Sequence, residues 1–103
     1  MTLRFTWDRA KAASNRRKHH VGFETAALVF VDPFALSEQD SIESGERRWQ
    51  IIGSVEGVIV LLVAYTVREA ADESEVIHII SARRAERAER RRYEEARYRH
   101  LRT

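Results

Sequence analysis

The run VIVLLVAYTV, residues 58–67, constrains the fold more than any other part of this chain. It offers no polar side to solvent, so it reads as a central strand covered on both faces. Such a strand needs neighbours. Glu56-Gly57 just before it marks a hairpin turn, and RRWQIIGSV reads as the strand that pairs through that turn. VIHIISA, after the acidic loop EAADESE, reads as the last strand.

The rest of the chain supplies an edge and helices. Leu3, Phe5 and Trp7 alternate with Arg4 and Thr6, the pattern of a short half-buried strand. Asp8 can cap a helix that runs to about His19, and Gly22 breaks the chain after it. Phe23, Ala26, Ala27 and Phe30 fall at i, i+3, i+4 and i+7, one apolar face of a second helix that stops before Asp32-Pro33. Residues 34–38 suggest a brief strand, and QDSIESGE an acidic loop. The expected order is β-α-α-β-β-β-β-α. This describes an α+β fold with an antiparallel sheet, helices mainly on one face, and one domain across residues 1–103.

The last strand passes directly into ARRAERAERRRYEEARYRH, and residues 83–103 read as a basic C-terminal helix. Its apolar stripe is thin, only Ala85, Ala88 and Ala96, so packing should hold it loosely. Charge is distributed unevenly along the chain. Residues 1–20 carry +5 and residues 83–103 carry +5, whereas the stretch between carries −8. Basic ends around an acidic middle suggest one face for a polyanion and another for a basic partner. Arginine matches phosphate geometry, which points to RNA. The absence of cysteine excludes disulfides and thiolate metal sites and fits a reducing cytoplasm. No apolar run reaches the ~18 residues of a membrane span, and no signal-peptide stretch opens the chain, so a cytoplasmic protein without membrane contact is expected.

FTWDRAKAASNRRKH, GFETAALVFVDP, ERRWQIIG and IISARRAERAERRRYEE follow one another in an order and spacing that resembles BrnT-type toxins. These are the ribonuclease halves of bacterial type II toxin–antitoxin pairs, with a RelE-like fold. The resemblance covers residues 5–95. It departs from the family pattern at His20, where the family usually has Gly, in the strongly acidic EAADESE loop, and in the extension ARYRHLRT. It implies an RNA-cleaving toxin that inhibits translation. It also implies an antitoxin partner, a ribbon-helix-helix DNA-binding protein through which alone the complex would reach operator DNA.

Metal-independent RNA cleavage uses the 2′-hydroxyl as nucleophile. The protein then supplies a base, an acid and cations for the charge that builds on phosphate. Arg83, at the end of the last strand, is the first candidate for phosphate clamp, joined by Arg68 and by Arg47 or Arg48. His19 is the candidate acid or base, because imidazole titrates near pH ~6.5. Lys18 would neutralise charge beside it, and Tyr65 and Tyr93 are lesser candidates for proton transfer or stacking. Arg47, Arg84, Arg87 and Arg91 are candidates for binding RNA. No metal-ligand spacing occurs, so neither metal nor cofactor is expected.

Each residue also has a plainer reading. Arg83 can pair with Glu86, and Lys18 and His19 suit the C-terminal end of a helix dipole. His78, alternating with Ile77 and Ile79, reads as a packed strand residue, and Trp7 and Trp49 as sheet-face aromatics. A non-catalytic nucleic-acid-binding module, or an interaction subunit, is the alternative function.

Overall fold

The structure is a computed structural model that describes residues 2–102. Five strands form one sheet in the order β1-β5-β4-β3-β2: β1 Leu3–Thr6, β2 Leu36–Glu43, β3 Glu46–Val55, β4 Ile59–Glu69 and β5 Glu75–Arg84. The helices are α1 Arg9–His19, α2 Phe23–Ala27, continued by a 3₁₀ turn Leu28–Val31, and α3 Arg87–Arg102. The element order matches the expectation. As foreseen, β4 is central, and Glu56 and Gly57 adopt the positive φ of 55° and 71° that a tight hairpin turn requires.

Strand alternation divides the sheet into two unlike faces. Ile51, Val63, Tyr65, Ile77, Ile79 and Ala82 point to one side, where Phe23, Ala26 and Val29 seal them from water. Edge-on contacts of Trp7 with Phe23 and of Phe30 with Tyr65 and Phe5 extend this core. Gly53 is where the 3₁₀ turn touches β3, since a Cβ there would lie 2.8 Å from the Val29 side chain. On the other side a much smaller cluster of Ile52, Leu62, Ala85 and Tyr93 sits beneath α3.

Asn15 ties α1 to the sheet. Pairing of β1 with β5 ends at Thr6↔His78, so the outer edge of β5 has no strand beyond that point. The buried Asn15 amide substitutes for one. Its Oδ1 accepts from Ala82 N at 3.1 Å, and its Nδ2 donates to Ala82 O at 2.8 Å and to Val21 O at 3.1 Å. Asp8 caps α1 by accepting from Lys11 N, and His20 ends the helix in the left-handed region at φ 59°. Glycine adopts that conformation without the steric cost a Cβ brings, so His20 holds a strained cap position.

The structure corrects several expectations. The sheet is not wholly antiparallel, because β1 lies parallel to β5. Strands β2 to β5 are linked in sequence by turns and alternate, whereas β1 is joined through helices and is free to align with β5. Helices cover both faces, since α3 packs opposite α1 and α2. The stretch read as an acidic loop is mostly β2, a polar edge strand whose turn is only Ser44-Gly45. The second helix changes to 3₁₀ at Leu28, which turns Val29 into the core. Arg83 and Arg84 belong to β5, and the C-terminal helix begins at Arg87 rather than at 83. Its anchor is Tyr93, 1% exposed; Ala88 is exposed. Among the described residues, no helix is long and apolar enough to cross a membrane.

Candidate active site

The sheet face opposite α1 and α2 is only partly covered. Where α3 does not reach, Thr6 on β1, Val76, His78 and Ile80 on β5, Thr66 and Arg68 on β4, and Arg48 on β3 line an open groove of about 590 Å³. Lys11 of α1 and the β2–β3 turn, with Glu43, Ser44 and Glu46, form its rim. Register explains the assembly: Thr6 pairs with His78, His78 with Thr66, and Arg68 with Val76, so their side chains share one face.

His78 is exposed in the middle of this surface, and its Nδ1 lies 2.9 Å from Thr6 Oγ1. That contact fixes the ring and leaves Nε2 as the nitrogen available to the groove. Arg48 meets Glu43 at 3.0 Å, and this is a half-exposed pair that a phosphate can displace. The Arg68 guanidinium is exposed. A second hollow, lined by Lys11, Ser14, Asn15, Lys18, His19, Ile80 and Ser81, shares Lys11 and Ile80 with the groove. Lys18 and His19 therefore flank the groove instead of lining it.

Arg83 lies outside both hollows. Its Nη1 and Nη2 each reach Glu89 at 2.9 Å, and Glu86 stands 3.8 Å away. Glu89 also accepts from Glu86 N at 2.8 Å, closing the first turn of α3 from its third position. The Arg83 bond is the main reason that the Glu89 carboxyl is held below the usual carboxylate range. The plain reading of Arg83 thus has a geometric basis, with Glu89 rather than Glu86 as chief partner.

Tyr93 is equally occupied. Its hydroxyl donates to Asp32 Oδ2 at 2.6 Å and lies 3.1 Å from Ser54 Oγ. Asp32 also accepts from the backbone N–H groups of Ser54 and Phe34. Burial raises the Asp32 pKa, but these hydrogen bonds outweigh it and leave the carboxyl below its ordinary value. Burial and the neighbouring Asp32 push the Tyr93 phenol up.

The other candidates are dispersed. Arg84 lines a hollow between α3 and the β3–β4 turn, Arg47 is exposed opposite Ile42, and Arg87 and Arg91 are exposed on α3. Tyr65 belongs to the sealed core, and Trp7 and Trp49 pack against it half-buried. The groove thus joins Arg48 and Arg68 with three residues that sequence reasoning did not select: His78, Thr6 and Lys11. The signal was present in alternation, since His78 and Thr6 must face away from Ile77, Ile79 and Phe5. Alternation does not reveal that the opposite face is open there.

The chain matches the family model described as ribonuclease toxin, BrnT, of type II toxin–antitoxin system over residues 7–89. The 1.1 Å crystal structure of the Brucella abortus ribonuclease toxin BrnT shares the fold, with a TM-score of 0.55 and 20% sequence identity, covering 84% of this chain and 100% of that one. No protein of curated function matches the sequence. By the family match across most of its length, the chain belongs to the BrnT family of ribonuclease toxins of type II toxin–antitoxin systems.

Proposed function

We propose that the chain is a metal-independent endoribonuclease whose active site is the open groove on the sheet. The observation that carries this reading is an exposed imidazole, His78, held by Thr6 on a strand between Arg68 and Lys11. Arg48, Arg68 and Lys11 hold the scissile phosphate and offset the charge that grows on it. His78 moves a proton at Nε2. The 2′-hydroxyl loses its proton as its oxygen attacks phosphorus, the bond to the 5′-oxygen breaks, and that oxygen takes up a proton. The products are a 2′,3′-cyclic phosphate and a 5′-hydroxyl. His19 and Lys18, across Ile80, supply a second imidazole and a further cation to the flanking RNA.

Arg83 and Tyr93 act in this account by fixing α3; Arg47, Arg87 and Arg91 add positive surface outside the groove, and Arg84, in the hollow beside the β3–β4 turn, takes no part in holding RNA. The cognate antitoxin is the protein partner, which we take to be of ribbon-helix-helix type and the complex's only contact with operator DNA. A RelE-like ancestry, a cytoplasmic setting and arrest of translation complete the proposal.

The test is cleavage of a single-stranded RNA in excess EDTA, beside the same RNA carrying one 2′-deoxy residue at the cut site. The expected result is full activity with EDTA and none at the deoxy position. Activity that vanishes on chelation, or a cut at the deoxy residue, overturns the mechanism.

A further inference from the structure

The β3–β4 turn separates two hollows that the groove does not use. On one side Leu28, Val31 and Pro33 line a shallow, mainly apolar depression of about 330 Å³, with Glu56 and the Asp32 carboxylate, already bonded to Ser54 and Tyr93, at its margin. On the other, Arg84, Arg90 and Arg97, three cations against the one carboxylate of Glu94, share a hollow of about 410 Å³ with Val58 and Val60. Ser54 and Gly57 belong to both, so the surface continues around the turn. Three large apolar side chains stand out in water along it: Val58 is 80% exposed, Val31 75% and Leu28 44%. Among the described residues, the Arg84 and Arg90 guanidinium groups have no carboxylate within ion-pair distance.

An exposed apolar strip beside unpaired arginines demands a complementary partner. We propose that this surface docks an acidic amphipathic segment of the antitoxin, with its apolar side chains on Leu28, Val31 and Val58 and its carboxylates on Arg84 and Arg90. This rests on the reading above that an antitoxin is the partner. RNA fits less well, because a charged phosphodiester chain gains little from burial against Val31 and Val58. Location matters as well. The docking surface lies at the start of β4, near residues 58–60, and the groove near residues 66–68. Eight strand residues span roughly 26 Å. The segment therefore supplies affinity without itself filling the groove.

The experiment titrates purified cognate antitoxin into the full chain by calorimetry and repeats it with three double variants. Val31→Asp with Val58→Asp places like charge against the acidic segment and should weaken binding by a hundredfold or more, at about tenfold per lost anchor. Val31→Lys with Val58→Lys should lose clearly less, because the charge is complementary. Arg84→Glu with Arg90→Glu should weaken antitoxin binding and leave RNA affinity unchanged. All four positions are exposed, so melting curves should match the parent, and the free variants should cleave RNA normally. Parent-like antitoxin affinity in the Asp variant overturns the proposal. So does loss of RNA affinity with intact antitoxin affinity in the Glu variant, which would assign the surface to RNA. A parent chain that cuts no RNA would overturn the ribonuclease mechanism alone, since the affinities are read without cleavage.

Discussion

The two faces of the sheet are held by different forces. Against α1 and α2 the sheet buries aliphatic and aromatic side chains, with Phe23, Val63 and Ile79 fully enclosed. Against α3 the apolar contact is small, and polar links do most of the holding: Tyr93 to Asp32, Arg83 to Glu89, Arg92 to Glu38, and Arg97 over the Phe34 ring at 5.2 Å. A face sealed by apolar burial cannot expose an imidazole. A face bridged by one polar helix can, because whatever the helix leaves uncovered must be polar enough to stand in water. The groove is a consequence of that economy.

The largest expected effect lies on the sealed face. Phe23→Ala removes a fully buried ring and should destabilise the whole protein by about 3–5 kcal/mol, measured by denaturant unfolding. A loss under 1 kcal/mol would mean that this face does not dominate stability.

Tyr93→Phe should behave differently. It removes a hydrogen bond to a carboxylate, worth about 1.5–3 kcal/mol, without opening a cavity. The loss should be local, so hydrogen exchange should accelerate in α3 while the sheet amides keep their protection. Uniform acceleration would show that the two faces unfold as one unit.

Acid separates the faces further. Asp32 and Glu89 both have pKa values lowered in the folded state, so their contribution is present above the ordinary values of 3.8 and 4.5. It is lost as the pH falls through the lowered values. Acid below the ordinary carboxylate range should therefore loosen α3 before the sheet, and Glu89→Gln should reduce that pH dependence. An equal pH response in α3 and the sheet would contradict it.

The smallest effect is a gain. His20→Gly relieves a left-handed residue and should stabilise by about 1 kcal/mol, visible as a slightly higher Tm. An unchanged or lower Tm would mean that the His20 side chain stabilises the turn enough to compensate.

Much of the sealed face could be read in the sequence, since its elements carry period: Phe23, Ala26 and Ala27 at helical spacing, Phe5 and Trp7 at strand spacing, and the apolar run that becomes β4 from Ile59, its first residue Val58 staying exposed in the turn. The second face could be read less well, because its determinants are single polar residues far apart in the chain. Asp32 and Tyr93, or Glu38 and Arg92, are linked only once the chain is folded. The polar β2 looked like a loop for the same reason, as an edge strand does not need apolar residues. His78 was visible as an alternating residue, but its openness depends on where α3 ends. Arg83 attracted attention as a cation at a strand end, and its partner Glu89 lay six residues away, beyond the helical spacings that suggested Glu86.

The direct test of the account is cleavage rate and Tm for His78→Ala and Arg83→Ala, measured on matched preparations. Because His78 is exposed and Arg83 bridges to α3, the account predicts opposite outcomes. His78→Ala should cut the rate by ~10²–10⁴-fold with an unchanged Tm. Arg83→Ala should lower Tm modestly, because losing a partly exposed bridge costs ~1 kcal/mol of stability, and retain cleavage within about tenfold. A stable Arg83→Ala variant without activity, beside a fully active His78→Ala, would contradict it and move the active site to the strand end.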